Sequence, residues 1–208
     1  MISLFKLLRF LGPTLLFFGT FVVLPPLAFS YFNNILDAQL LNIYLGCIAY
    51  SIVIFFTLRQ RKFSYSPKDG FVITFLTWVM ISLLASLPFQ NANMVFYDAL
   101  FEAVSGLTTT GSTVIKDLSL FPDHILLYRQ LLQWAGGVGL VIVVLAIIPA
   151  VSGGMKVLQA ETSGFADKSF SPRLRETARS LLKFYALITI ACAFSYWLVG
   201  MTWFEAFS

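Results

Sequence analysis

Six consecutive hydroxyl or glycine residues interrupt an otherwise apolar part of the sequence. They are Thr108-Thr109-Thr110-Gly111-Ser112-Thr113, and they follow the mostly apolar segment 97–107. Carbonyl and hydroxyl oxygens can surround a dehydrated monovalent cation without the full negative charge that would trap it. Turning successive carbonyls to one side requires backbone angles that glycine tolerates and most other residues do not. This stretch therefore favours cation coordination, with Gly111 where the conformational freedom is needed.

Two acidic residues precede the hydroxyl-rich stretch. Asp98 and Glu102 are four residues apart, so they share one face of a predicted helix over residues 95–107. One interpretation is that they attract cations to an outer mouth. The other is that acidic residues suit the N-terminal half of a short helix. In either case the negative C-terminal end of this helix would point at residues 108–113 and favour a cation there.

The other reactive side chains form no catalytic or metal-binding pattern. Cys47 and Cys192 both fall inside apolar segments and are predicted to serve in packing, and His124 is predicted to be a solvated loop residue. A membrane-embedded hydrolase using Ser105 or Ser112 with His124 is one hypothesis, but it lacks a second acid or base at membrane depth. We expect no catalytic residues, no enzyme activity and no organic cofactor.

The composition is that of a helical membrane protein. The 208 residues are 58% hydrophobic, with a mean hydropathy of +0.83. Only 12% are charged, about half the share in soluble domains. Apolar runs of about twenty residues predict an all-α, multi-pass protein. The predicted spans are 11–30, 39–58, 70–88, 127–149 and 180–200, the first broken late by Pro25-Pro26 and read as a retained helix rather than a signal peptide.

Two local patterns refine these spans. Ser66-Pro67-Lys68-Asp69 predicts a helix start, because serine can cap, proline suits the first helical position and Asp69 can reach back to the cap. Trp134-Ala135-Gly136-Gly137-Val138-Gly139 is not a dinucleotide fingerprint, since the third glycine and a preceding strand are absent. Small residues at membrane depth instead predict close approach of another backbone.

The distribution of basic residues predicts the topology. If the N-terminus is cytoplasmic and residues 90–126 dip in from outside without crossing, only Lys116 and Arg129 remain on the outer side. If residues 95–113 crossed fully, six of the inner cations would face outward. The charges therefore favour a re-entrant loop. The twelve inner cations are Lys6, Arg9, Arg59, Arg61, Lys62, Lys68, Lys156, Lys168, Arg173, Arg175, Arg179 and Lys183.

A second copy of the span and short-helix pattern begins at Ser180. The segment 204–208 can be aligned with residues 101–105 or with residues 97–101, and its distance from the preceding span favours the second alignment. A second short helix therefore starts near residue 204. One hydroxyl-rich loop supplies only part of an oxygen ring, so a closed site needs further units from more chain or from other subunits.

These residues resemble the Trk/Ktr/HKT superfamily of potassium transporters, and within it the TrkH proteins. The resemblance rests on residues 101–113, on Tyr128-Arg129-Gln130 with Gln133-Trp134-Ala135-Gly136-Gly137-Val138-Gly139, and on Gly200-Met201-Thr202. It implies an incomplete potassium-channel-like architecture of repeated span, re-entrant pore helix and span. Residues 1–62 would be an N-terminal helix pair, 63–155 the first repeat with its filter at 108–113, and 156–208 the opening of the second repeat.

The resemblance also implies a function and partners. It implies potassium uptake across the cytoplasmic (inner) membrane, with K⁺ held by Thr109 and Thr110 and this quarter of the filter completed by Gly111 and Ser112. The implied partners are membrane lipid, a second copy in a homodimer and a cytoplasmic TrkA-like nucleotide-binding ring, but no nucleic acid. The chain would then be the front portion of a transporter subunit.

A different class of function is kept as the alternative. The hydrophilic, basic segment 151–183 could dock a cytoplasmic partner, in which case the protein would be a non-conducting membrane scaffold. The same charges could also bind anionic lipid. Partner binding that survives any change at residues 109–112 would favour the scaffold.

Overall fold

The computed structural model describes residues 4–60, 67–118, 121–139 and 170–207. Over these residues all the regular structure is helical, so the predicted all-α class is confirmed. Most of the basic segment 151–183, on which the scaffold alternative rests, lies outside the described residues, as do the predicted cap Ser66 and residues 140–149 of the fourth predicted span.

The helices of the described residues are numbered in chain order. They are α1 Leu4–Phe18, α2 Leu24–Phe32, α3 Ala38–Leu58, α4 Pro67–Asn91, α5 Phe96–Leu107, α6 at residues 123–139, α7 Phe170–Leu198 and α8 Trp203–Phe207. Four described helical stretches are long and apolar enough to cross a membrane, namely Leu4–Phe32, Ala38–Leu58, Asp69–Asn91 and Arg179–Leu198. These match four of the five predicted spans.

The first span continues through its prolines. A π-helical turn at Gly19–Val23 joins α1 to α2, and Pro25-Pro26 lie in the first turn of α2. The first turn of a helix tolerates proline, because its N–H groups have no intrahelical partner. The prediction that the prolines break this span late is therefore wrong, and the helical path extends to Phe32.

The chain divides into two compact units, Met1–Gly137 and Val138–Ser208. In the first unit α1 packs along α3, α4 packs along α5, and both α1 and α3 contact α4. The α1–α3 contact includes a buried hydrogen bond in which Ser51 Oγ donates to the Gly12 carbonyl over 2.8 Å. Tyr128 of α6 packs its ring 5.5 Å from that of Phe89 and donates its hydroxyl to the Ala85 carbonyl, which fixes α6 against α4.

Polar contacts tie one set of helix ends together. Lys6 Nζ lies 2.8 Å from Asp69 Oδ2, which joins the start of α1 to the start of α4. Arg9 Nη1 donates over 2.7 Å to the Leu58 carbonyl at the end of α3. Charged groups of this kind cluster where helices leave a bilayer, because the hydrocarbon interior excludes them. These contacts place three helix ends, which border two predicted cytoplasmic segments, at one end of the unit.

A second polar cluster joins the other ends of these two helices, the start of α3 and the end of α4. Asp37 caps α3 by accepting hydrogen bonds from the Gln39 and Leu40 amides. Its other carboxylate oxygen, Oδ2, lies 3.3 Å from His124 Nε2 at the start of α6. The side-chain amide of Asn91, at the end of α4, donates to Asp37 Oδ1 over 3.5 Å. The prediction that His124 is a solvated loop residue is therefore wrong. It is buried, because the aspartate provides its polar partner.

The second unit shows how α8 begins. The Thr202 amide and hydroxyl donate to Glu205 Oε2 over 2.9 and 2.8 Å, and the Glu205 amide donates back to the Thr202 hydroxyl over 3.3 Å. This reciprocal pattern is a capping box. The backbone and side-chain hydrogen bonds from Thr202 lower the pKa of the Glu205 carboxyl. The predicted second short helix therefore has a defined N-terminus at this point.

The link from α7 to α8 repeats the link from α4 to α5. The amides of Ala92, Asn93 and Met94 donate to the carbonyls of Pro88, Gln90 and Phe89, and those of Val199, Gly200 and Met201 donate to the carbonyls of Ser195, Trp197 and Tyr196. Asn93 and Gly200 both adopt positive φ, 67° and 104°. Every pair is shifted by the same number of residues, and this shift aligns Glu205 with Asp98. The link geometry therefore favours the second of the two alignments weighed from the sequence.

Candidate ion-coordinating loop

The segment that carries the hydroxyl-rich loop enters and leaves the unit at the same end. α5 begins a few residues after α4 ends, and α6 begins where His124 contacts Asp37, the cap of α3. The 12 residues of α5 span only about 18 Å, while the hydrocarbon core of a bilayer is about 30 Å thick. A helix of this length cannot cross the core by itself, and this favours the re-entrant loop expected from the sequence.

The first loop residues fold back onto the C-terminal end of α5. The Thr108 amide donates to the Val104 carbonyl over 2.8 Å, and the Thr109 amide donates to the Gly106 carbonyl over 2.9 Å. The Thr110 and Gly111 amides both donate to the Ser105 carbonyl, over 3.0 and 3.4 Å. These bonds satisfy carbonyls that a helix end otherwise leaves without partners.

The direction of these amides fixes the direction of three carbonyls. In a trans peptide the carbonyl of one residue points opposite to the amide N–H of the next. Because the amides of Thr109, Thr110 and Gly111 point back at α5, the carbonyls of Thr108, Thr109 and Thr110 point away from it. Among the described residues none donates a hydrogen bond to these three carbonyls. The loop thus presents a row of three backbone oxygens beside exposed threonine hydroxyls.

Two backbone angles make this row possible. Thr109 has a φ of 58° and Gly111 a φ of 74°. Glycine adopts such angles without strain, and this agrees with the conformational role expected of Gly111. Threonine pays about 1–2 kcal/mol for the left-handed region, so the surrounding contacts must hold Thr109 there.

A buried ion pair lies behind the loop. Arg129 Nε in α6 lies 2.9 Å from Glu102 Oε2 in α5, and both side chains are shielded from solvent, with exposures of 9% and 0%. Removing one partner of such a pair costs about 3–5 kcal/mol, because the remaining charge is left buried without compensation. The pair therefore joins α5 and α6 firmly at the level of the loop.

The same two side chains also bind the loop backbone. Glu102 Oε1 accepts hydrogen bonds from the Thr113 hydroxyl and, over 2.8 Å, from the Val114 amide. Arg129 Nη2 donates to the Gly111 carbonyl over 3.3 Å. A third buried side chain, Ser105, donates its hydroxyl to the Ser112 carbonyl over 2.6 Å. The carbonyls of Gly111 and Ser112 are thus occupied by donors from α5 and α6.

The glycines of α6 and α5 allow these helices to meet closely. A Cβ atom on Gly136 would collide with the carbonyl group of Leu107, the last residue of α5. A Cβ on Gly106 would lie 3.2 Å from Leu132 Cβ, which is tighter than ordinary contact. The prediction that the glycines of the 134–139 stretch allow close backbone approach is confirmed for Gly136, and the partner is the base of the loop.

The predicted site residues differ in their surroundings. Thr109, Thr110, Gly111 and Ser112 lie together in the exposed loop, and Asp98 is exposed in the first turn of α5. Glu102 does not lie at an exposed mouth, which was one of the two interpretations of the acidic pair. It is fully buried, because α6 and the loop cover this part of α5 and supply three donors to its carboxylate.

The structure offers no support for the hydrolase hypothesis. Ser105 donates its hydroxyl to a backbone carbonyl, and His124 faces Asp37. Within the described residues no serine hydroxyl is hydrogen-bonded to the imidazole. The described residues also contain no cluster of three or more His, Cys, Asp or Glu side chains that could hold a metal ion.

The TrkH family of cation transport proteins matches residues 36–207 of this chain. The chain belongs to the TrkH family. This is a family of transport proteins and not a class of enzymes. The recognition made from the loop and glycine motifs is confirmed.

Trk system proteins match most of the chain. It is 37% identical over 208 residues to the Trk system potassium uptake protein TrkH of Vibrio parahaemolyticus, a match that covers 98% of this chain and 43% of that protein. It is 40% identical over 156 residues to the Trk system potassium uptake protein TrkG of Escherichia coli, covering 73% of this chain and 32% of that protein. The chain thus spans less than half the length of these relatives.

A solved structure shares the fold. The crystal structure of the potassium transporter TrkH from Vibrio parahaemolyticus superposes with a TM-score of 0.78 at 33% identity, covering 99% of this chain and 42% of that one. At this sequence identity the match supports membership of the TrkH family and not only a shared fold. The chain is therefore a helical membrane protein with a TrkH architecture over the part it spans.

Sequence reasoning missed the role of Arg129. The topology count treated it as one of two outer cations, although it is buried against Glu102. A signal was present, because Arg129 is the only cation within its predicted span and Glu102 lies in the apolar helix before the loop. Isolated opposite charges in two neighbouring membrane segments favour pairing with each other.

Proposed function

We propose that this chain forms part of the membrane subunit of a Trk-type potassium uptake system and that residues 108–113 supply one section of its selectivity filter. The observation that carries the proposal is the row of three outward carbonyls at Thr108, Thr109 and Thr110, at the C-terminal end of a re-entrant helix. A helix C-terminus favours a cation, and backbone carbonyls replace the hydration shell of K⁺. Membership of the TrkH family supports potassium as the transported ion.

Each candidate residue has a proposed role in this filter. Thr109 and Thr110 coordinate K⁺ through oxygens, Gly111 supplies the left-handed backbone angle, and Ser112 completes this part of the loop. Asp98, exposed at the start of α5, raises the local concentration of cations at the outer mouth. The one loop described here gives a fraction of an oxygen ring, and the remaining sections come from further repeats.

The arrangement of the complete subunit follows from the same proposal. Residues 1–62 form the N-terminal helix pair, 63–155 the first repeat and 156–208 the opening of the second, and the repeated link geometry supports this division. The N-terminus faces the cytoplasm across the inner membrane. The subunit is a homodimer and is regulated by a TrkA-like nucleotide-binding ring. The Trk system names of its relatives support a partner from a Trk system in general.

Replacing Gly111 by leucine tests the filter. A Cβ at Gly111 meets no atom within 4 Å, so the substitution acts through the φ of 74° and not through a steric clash with a neighbour. We expect loss of K⁺ uptake or of K⁺ over Na⁺ selectivity, measured by ion flux in cells that lack their own potassium uptake, with normal amounts of protein in the membrane.

Gly46→Leu is the matched control. Gly46 lies in α3, also with no atom within 4 Å of its Cβ position, and away from the loop. It should leave flux and selectivity unchanged. Unchanged potassium selectivity in Gly111→Leu, at equal protein levels, would contradict the proposed filter.

A further inference from the structure

The carbonyls of the loop fall into two groups that differ in their partners. Those of Thr108, Thr109 and Thr110 point away from α5 and receive no hydrogen bond from the described residues. Those of Gly111 and Ser112 receive Arg129 Nη2 and Ser105 Oγ. A carbonyl that already accepts a hydrogen bond from a cationic guanidinium is a poor ligand for a second cation.

The change from one group to the other coincides with the ion pair. Arg129 places two donors of one rigid guanidinium on two acceptors, Nε on Glu102 and Nη2 on the Gly111 carbonyl. Glu102 in turn holds the chain on the far side of Gly111, through the Thr113 hydroxyl and the Val114 amide. The loop is therefore held by this pair at three places immediately after the row of free carbonyls.

We infer that Arg129, oriented by Glu102, is a positioning residue that ends the ion-coordinating row at Thr110 by holding the Gly111 carbonyl away from the ion. This inference rests on the proposed filter function and deepens it. It assigns a role in K⁺ selectivity to a buried ion pair that does not contact the ion.

Two conservative substitutions separate this role from simple stability. Arg129→Lys keeps a positive charge near Glu102, but one ammonium lacks the planar fork that reaches both acceptors. Glu102→Asp keeps the negative charge, but it is one methylene shorter and cannot reach both Arg129 and the Val114 amide. Asp69→Asn is the matched control. It removes the Lys6–Asp69 ion pair at the start of α4, whereas the segment with the loop follows the end of α4.

The first readout is flux of K⁺ and Na⁺ through the full-length gene product, expressed in cells that lack their own potassium uptake. In both test variants we expect the K⁺ to Na⁺ preference to fall about tenfold, the loss that follows when one charge-assisted hydrogen bond is removed. The apparent KM for K⁺ should rise while the maximum Na⁺ rate does not fall. A merely structural role would lower both rates together with the amount of protein.

The second readout does not depend on transport. Hydrogen exchange of the purified protein reports the Val114 amide, which donates to Glu102 Oε1. Its protection should drop in Arg129→Lys and Glu102→Asp and stay at the parental level in Asp69→Asn. If one test variant fails to accumulate, the other still decides.

The outcomes are distinct. Parental selectivity and parental Val114 protection in a well-folded Arg129→Lys protein would overturn the inference. A parent protein that shows no preference for K⁺ would instead contradict the proposed function. In that case the exchange measurement still shows whether the pair holds the loop.

Discussion

Glu102 illustrates how a charge can be kept inside a membrane segment. Its carboxylate has no exposed surface, yet both oxygens accept hydrogen bonds from α6 and from the loop. Isolated ionisable residues at membrane depth are costly, and they persist where partners satisfy them. The burial of this acid makes the loop conformation depend on the pairing of α5 and α6.

Ser105 offers a milder test of the same dependence. Ser105→Ala removes the 2.6 Å hydrogen bond to the Ser112 carbonyl and leaves that carbonyl able to turn. Because such a hydrogen bond contributes about 1 kcal/mol, we expect the affinity for K⁺ to change by about fivefold. The measurement is the concentration dependence of K⁺ uptake.

A comparable serine serves as the control for this substitution. Ser30 is also buried, and its hydroxyl donates to the Leu27 carbonyl of its own helix over 2.9 Å. Ser30→Ala should leave K⁺ affinity at the parental value. Equal effects of the two substitutions would show that the loss of a buried hydroxyl, and not the position of Ser112, changes the affinity.

At the scale of elements, the loop depends on how closely α6 approaches the end of α5. Gly136 faces the carbonyl group of Leu107, where any side chain would collide with backbone. Backbone cannot move aside as a flexible side chain can, so a substitution here must separate the helices. Separation would also lengthen the contacts of Arg129, which lies two turns earlier in α6.

Gly136→Ala should therefore be damaging despite adding one methyl group. We expect a loss of about 1–3 kcal/mol of stability, the usual cost of overpacking, together with reduced K⁺ selectivity. Gly46→Ala, in the open position of α3, should be neutral or slightly stabilising because alanine favours helix. The melting temperatures of the two purified variants in detergent provide the comparison. Equal melting temperatures would show that α6 can shift without cost.

The helices could be predicted from the sequence more fully than their partners. The apolar pattern of the sequence was sufficient for α3 and α5, whose bounds agree with the predicted segments. The burial of Glu102 and His124 was not predictable in the same way, because it depends on Arg129 and Asp37, which lie far away in the sequence. Periodicity reports which residues share a face, but not which side chain from another helix covers it.

At the scale of the whole molecule, two end clusters support a re-entrant topology. The starts of α1 and α4 meet through Lys6 and Asp69, whereas the start of α6 meets the α3 cap at Asp37. The segment between α4 and α6 therefore begins and ends on the same side. If it crossed the membrane, α6 would have to begin at the opposite end.

Thiol labelling measures this topology directly. In a background with Cys47 and Cys192 replaced by alanine, single cysteines are introduced as Gln60→Cys, Leu118→Cys and Ser180→Cys, all at exposed positions. A membrane-impermeant reagent added to intact cells should label only position 118. Positions 60 and 180 should react only after the membrane is opened, because the proposed topology places both on the cytoplasmic side.

If residues 95–113 crossed the membrane fully, the labelling of the positions beyond residue 113 would be reversed. Position 118 would then be protected in intact cells, and position 180 would be labelled. Position 60 serves as the internal control, since both topologies with a cytoplasmic N-terminus protect it. Labelling of position 60 in intact cells would contradict the cytoplasmic N-terminus itself.

The link between Lys6 and Asp69 has a consequence for how the protein is made. The two residues are 63 positions apart, so the contact cannot form until the start of α4 has been synthesised. At about 5–20 residues per second, ribosomes need on the order of 3–13 s to cover that distance. During that interval the positive charge of Lys6 is available to hold the nascent first helix in its orientation. With the proposed cytoplasmic N-terminus, the Lys6–Asp69 contact therefore forms only after the first helix has been oriented.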